Sequence, residues 1–203
     1  MGLLKKFLAE AIGVFTIVFT GCGSLMIAAR FPGSTAPETV PVIFGLSVAV
    51  MVYALGHISG AHFNPAVTAA FALFRHFPAK EVFAYWVAQF SGAFLAIFLL
   101  SRLLPEGAVY GAALPHLPLF KALCWEALLT FFLMFVIIAV ATDTRAAGIM
   151  AGTAIGAAVA LGAFVGGPLT GAAMNPARAL APLFFASSML ISLVTPANAW
   201  KIC

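Results

Sequence analysis

Ser59 to Thr68 reads SGAHFNPAVT, and Gly171 to Ala179 reads GAAMNPARA. Each stretch holds Asn-Pro-Ala: Asn64, Pro65 and Ala66 in the first, Asn175, Pro176 and Ala177 in the second. Asparagine is a good helix cap. Proline suits the first helical position, where its missing N–H would be unpaired anyway. An apolar stretch follows each motif, at about 65–74 and about 176–187. Both are shorter than the roughly 20 residues a helix needs to cross a bilayer. A single Asn-Pro-Ala is a common turn. Two of them, each opening a half-length helix, predict re-entrant segments that enter the membrane and stop.

The rest of the chain fits that reading. Of its 203 residues, 64% are hydrophobic and 8% charged, against about 25% charged in a soluble domain. So few charges cannot cover a water-facing surface, and an all-α membrane protein is expected. Five apolar blocks are long enough to span, at about 7–29, 40–57, 81–101, 120–141 and 148–166. Pro32, Pro37, Pro105, Pro115 and Pro118 fall between them, where helix breakers belong. Lys5 and Lys6 precede the first block, as in a signal peptide. The run from Phe7 to about Ala29 is too long for a signal core and reads as a retained span.

The order span, span, half-helix, span fills the first half, and the second half begins the same way. Glu10 precedes Asn64 as Glu126 precedes Asn175, and EAIGVF parallels EALLTFF. An odd number of spans per half inverts the halves, so the half-helices meet near the midplane. The expectation is one domain over 1–203, with repeat one at about 5–104 and repeat two at about 119–203. The sixth span is expected to be missing or truncated, since after the second half-helix only MLISLV is apolar, followed by Thr195-Pro196 and a polar tail to Cys203. Lys5, Lys6, Arg75, Lys80 and Arg145 fall on one side and Arg30, Arg102 and Lys121 on the other, which favours a cytoplasmic N-terminus.

The net charge of +4 forms no basic run, so nucleic acid is not an expected partner. No HExxH, GxSxG or phosphate loop supports an enzyme, and no cofactor or metal site is expected. Cys22, Cys124 and Cys203 form no CxxC pair, and read as small apolar fillers. Gly148, Gly152 and Gly156 make small-xxx-small steps that suit close helix packing. His57 and His62 flank the first motif without a carboxylate or cysteine at ligand spacing, and are expected to support the loop.

Each helix N-terminus carries about +0.5 charge. Two such ends facing each other oppose cations, and Asn64 and Asn175 as caps leave N–H groups for the lumen. Arg178, three residues after Asn175, lies on the same helix face. A charge at membrane depth normally lines a wet cavity.

The paired motifs resemble those of the aquaporin and aquaglyceroporin family. GHISGAHFNPAVT at Gly56 to Thr68 and ATDTRA at Ala141 to Ala146 are similar to the nodulin-like intrinsic proteins and their bacterial relatives. The resemblance implies the inverted-repeat aquaporin fold with two re-entrant half-helices. It places Phe44, Ala163, Ala172 and Arg178 at a four-residue constriction. Water-selective relatives carry histidine where Ala163 stands, so a wider and less polar gate is implied. Glu10 and Glu126 would accept hydrogen bonds from the re-entrant loops, a homotetramer is implied, and a bacterial inner membrane is the expected location.

The function expected is a passive channel for water and small uncharged solutes such as glycerol or neutral metalloid acids, closed to protons and ions. Two other readings stay open. One is a non-conducting remnant truncated after the second half-helix. The other is a secondary transporter, whose intramembrane carboxylates could only be Glu10 and Glu126.

Overall fold

The structure is a computed structural model that describes residues 1–104, 110–142 and 150–194, with 187–194 described by backbone alone. The described residues form seven α-helices: α1 (Leu3–Arg30), α2 (Val40–Ser59), α3 (Pro65–Leu73), α4 (Val82–Leu103), α5 (Leu119–Thr142), α6 (Ala151–Thr170) and α7 (Pro176–Val194). Single turns of 3-10 helix, Pro37–Thr39 and Ala79–Glu81, lead into α2 and α4. Among the described residues α1, α2, α4, α5 and α6 are long and apolar enough to cross a membrane. They are the five expected spans, with ends shifted by a few residues.

α3 has 9 residues and so rises about 14 Å, roughly half of the ~30 Å hydrocarbon core. It is a half-helix, as its sequence predicts. α7 departs from expectation: it runs to Val194, past the expected end near 187. Ser187 and Ser188 do not stop it because the apolar run MLISLV continues the helix beyond them. Pro182 lies inside α7 and is fully buried. It has no N–H, so the Arg178 carbonyl one turn earlier loses its helical donor. Thr195, Pro196 and the expected polar tail lie outside the described residues, as does the question of a sixth span.

Lipid tails are as apolar as leucine, so the helices gain little by hiding leucine from lipid. Close packing of small residues holds such bundles together. Gly45 of α2 and Gly156 of α6 show this reciprocally: a Cβ built on either would sit 2.4 Å from the other's carbonyl oxygen. Gly92 of α4 rests on α1 in the same way, since a Cβ there would meet the Ala11 carbonyl oxygen at 2.2 Å. Large apolar side chains such as Leu46, Phe83, Phe131 and Phe135 point outward, as a lipid-facing surface requires.

There are two apolar cores. Val14, Val18 and Cys22 of α1 pack with Ala93, Ala96 and Ile97 of α4, and Ala177 and Ala181 of α7 join them. Leu129 and Leu133 of α5 pack with Ile155 of α6, and Val67 and Phe71 of α3 join those. Each half therefore receives the half-helix of the other. The backbone repeats the same symmetry. Gly60 caps α2 and Gly171 caps α6, at φ +87° and +83°. Ala61 and Phe63 then take positive φ, as Ala172 and Met174 do in the second half. Non-glycine residues in this region are strained, and here the strain turns the chain back toward the midplane.

Candidate functional site

Both half-helices begin with the asparagine of their motif. Asn64 Oδ1 accepts from Ala66 N at 2.9 Å, and Asn175 Oδ1 accepts from Ala177 N at 3.0 Å. These are N-cap bonds that satisfy donors otherwise unpaired at a helix start. The other end of each side chain reaches across the molecule. Asn64 Nδ2 donates to the Met174 carbonyl at 2.7 Å, and Asn175 Nδ2 donates to the Phe63 carbonyl at 2.8 Å. The two helix starts thus face one another, and each amide has one further N–H to offer. Pro65 and Pro176 occupy the first helical positions, with Ala66 and Ala177 after them.

A carboxylate stands behind each re-entrant loop. Glu10 is fully buried and accepts from Ser59 Oγ (2.7 Å), His62 N (3.0 Å), Phe63 N (2.7 Å) and Gln89 Nε2 (2.8 Å). Glu126 accepts from Thr170 Oγ1, from Ala173 N at 3.0 Å and from Met174 N at 2.9 Å. Loop N–H groups at membrane depth have no water to turn to, and these carboxylates serve them. Tyr85 Oη adds a bond to the Ser59 carbonyl at 2.7 Å, and Trp86 Nε1 one to the Pro65 carbonyl at 3.1 Å.

His57 takes no part in this bracing. It is exposed on α2 and makes no hydrogen bond to the loop among the described residues. Its place near the end of α2 turns it away from the re-entrant segment, and Ser59, His62, Tyr85 and Gln89 do the bracing instead. Ser59 and His62 lie within the motif stretch. Gln89 is visible in the sequence only as a polar residue inside an apolar span.

One cavity of 780 Å³ runs past both motifs, from Glu38 and His116 near one end to Ala141 and Ala151 near the other. Its wall includes Asn64, Asn175, Phe44, Ala163, Ala172 and Arg178. The four residues expected at a constriction therefore all line this cavity. Phe44, Ala172 and Arg178 are buried, and the Arg178 guanidinium carbon lies 5.1 Å from the Phe44 ring centroid. Arg178 Nη1 is buried with no hydrogen-bond partner among the described residues. The described residues contain no cluster of His, Cys, Asp and Glu able to hold a metal.

Spans that pack through small residues, and two half-helices whose capping asparagines meet on one cavity, define a multi-pass integral membrane protein with the aquaporin fold. A solved aquaglyceroporin from Plasmodium falciparum superposes with a TM-score of 0.82 at 23% identity, over 97% of this chain and 87% of that one. Residues 1–198 match the model of the major intrinsic protein family, and the chain belongs to that family. It is 48% identical to Aquaporin NIP2-3 of Zea mays over 178 residues, 88% of this chain and 59% of that protein. It is 47% identical to Nodulin-26 of Glycine max over 183 residues, 89% of this chain and 67% of that protein. The chain spans about three fifths of the length of the first of these relatives. These relatives are plant proteins, and they lend no support to the bacterial inner membrane expected from the sequence.

Proposed function

We propose that the chain lines a passive pore for water and for small uncharged solutes larger than water, such as glycerol or neutral metalloid acids. One observation carries the reading: Arg178, over Phe44, shares a cavity wall with two alanines and with both motif asparagines. Ala163 and Ala172 fill little space and offer no side-chain donor, which leaves room for a solute bulkier than water. The Arg178 charge and the facing helix starts raise the potential of the lumen against cations. The free N–H groups of Asn64 and Asn175 would orient a passing oxygen so that its hydrogens point away from the centre, which interrupts a proton wire. Glu10 and Glu126 are occupied by loop donors. Neither is free to couple an ion, which favours a passive pore over a secondary transporter.

Stopped-flow light scattering of proteoliposomes tests this with gradients of water, glycerol and arsenite-type solutes. Flux of all three that rises linearly with the gradient is the expected result. Saturating or ion-dependent uptake would count against it. The chain is further proposed to assemble as a homotetramer, one pore per protomer, with its N-terminus cytoplasmic. Crosslinking in mild detergent that yields only monomers would refute the tetramer.

A further inference from the structure

Behind the first loop a chain of hydrogen bonds has its direction fixed at one end. Gln89 Nε2 donates to Glu10 Oε2 at 2.8 Å and to Thr68 Oγ1 at 2.9 Å. The amide cannot be turned over, because its carbonyl oxygen would then face the carboxylate oxygen. Gln89 Oε1 is accordingly left buried without a partner among the described residues. One lone pair of Thr68 Oγ1 is therefore taken by Gln89. Giving the single hydroxyl hydrogen of Thr68 to the Asn64 carbonyl, at 3.1 Å, is the assignment that lets all three contacts of Oγ1 be hydrogen bonds. Only a lone pair remains for the third neighbour, His62 Nδ1, at 3.1 Å. Two acceptors cannot share that contact, so this assignment puts the hydrogen between them on Nδ1.

The imidazole has little freedom to escape this. Its centroid lies 4.9 Å from that of Phe71, 4.7 Å from Phe77 and 5.1 Å from Tyr85. Its Nε2 edge lies toward Gly60, and both Gly60 and His62 line the cavity.

We infer that Gln89 and Thr68 are positioning residues that hold His62 as the Nδ1–H tautomer. Its bare Nε2 then faces the lumen as a hydrogen-bond acceptor for hydroxyl-bearing neutral solutes. The inference rests on the pore reading above and adds a subsite to it. The asparagine amides and Arg178 offer side-chain donors to the lumen, and a hydroxyl group must also give a hydrogen away. Nε2 takes that hydrogen on the α3 side of the asparagine pair. Glycerol, with several hydroxyls to satisfy at once, depends on such an acceptor more than water does.

Solid-state NMR of the full chain in lipid vesicles, with nitrogen-15-labelled histidine, reads the tautomer. The His62 signal is assigned by its loss in His62→Gln. The expected result is a hydrogen on Nδ1 in the wild type and in Thr68→Ser, which keeps the hydroxyl. Thr68→Val should move the hydrogen to Nε2, and the glycerol-to-water flux ratio should fall about fivefold relative to Thr68→Ser, the scale of one net hydrogen bond. A wild-type ring with its hydrogen on Nε2 overturns the inference. So does a Thr68→Val spectrum identical to wild type, or a shifted tautomer with an unchanged flux ratio. If wild-type vesicles pass neither water nor glycerol, the pore reading fails, while the NMR spectrum still decides the tautomer.

Discussion

The side-chain amide of Asn64 donates to the backbone carbonyl of Met174 at 2.7 Å, across 110 positions of sequence. The reciprocal bond, from Asn175 to Phe63, closes the pair at 2.8 Å. Each asparagine is thus both the cap of its own half-helix and the clasp on the opposite loop. A serine or aspartate could cap as well, but neither has an amide N–H to reach a carbonyl in the other half while leaving a second for the lumen.

Asn64→Ala removes the cap and the clasp together. It is expected to destabilise the protein by about 2 kcal/mol, the sum of a lost N-cap and a lost buried hydrogen bond. Asn175→Ala should cost a similar amount. The double variant should cost less than both together, because each bond helps place the other's partner loop. Thermal unfolding in detergent measures all three, and strict additivity would show that the two clasps act independently.

Arg178 sits over the Phe44 ring with Nη1 buried and unpartnered among the described residues. Its charge is held at the cavity wall by packing, with no carboxylate paired to it among the described residues. Arg178→Ala is expected to raise proton and cation leak through proteoliposomes above wild type, since one repelling charge is removed from a low-dielectric passage. A purified variant with wild-type leak would show that the helix starts alone provide the barrier.

Much of this architecture is legible in the sequence, because its signals are local. Half-helix length, the proline after each asparagine and the apolar blocks are all read along the chain. Gly152 and Gly156 stand out as small-xxx-small steps, and both do meet close neighbours: Tyr53 and Ala49 for the first, Gly45 and Ala49 for the second. Gly148 lies outside the described residues. The partner glycine, Gly45, is not legible, because the crossing of α2 on α6 is a tertiary fact. The same holds for Gln89, whose role depends on where Glu10 and Thr68 sit in space. The positive φ of Ala61, Phe63, Ala172 and Met174 leaves no mark either, since none is glycine. His57 illustrates the opposite error. Nearness to the motif in sequence suggests loop support, yet the last turn of α2 points it elsewhere.

Ala163, on α6, lines the same cavity as Phe44 and Arg178. Ala163→His would add an imidazole to its lining, filling space and supplying a donor. Glycerol flux is expected to fall about tenfold while water flux falls much less, a difference on the scale of one steric and hydrogen-bonding change in a pocket. Paired light-scattering runs on one vesicle preparation give the ratio. An equal loss of both, or of neither, would remove Ala163 from the constriction.

Glu10 and Glu126 are counterparts in the repeat, yet they are not equally committed. Glu10 is fully buried and takes hydrogen bonds from two hydrogen-bearing side chains and two loop N–H groups, all within 3.0 Å. Glu126 is partly buried and takes one side-chain hydroxyl and two loop N–H groups among the described residues. A carboxylate can accept at both oxygens, whereas an amide offers one acceptor and turns an NH₂ toward whatever lies opposite. In Glu10→Gln that NH₂ must face either the Phe63 N–H and Gln89 or the Ser59 hydroxyl and the His62 N–H. At least one backbone donor is then left buried and unpaired at membrane depth, where no water can serve it. The expected cost is about 3 kcal/mol, with a lower unfolding temperature and loss of solute flux as the first loop loosens. Glu126→Gln has fewer donors to strand and a partly open surroundings to relax into, so its loss should be smaller. Unfolding curves of the two variants under one set of conditions give the comparison, and a larger loss from Glu126→Gln would mean that the second loop, with Arg178 beside it, is the one that sets stability.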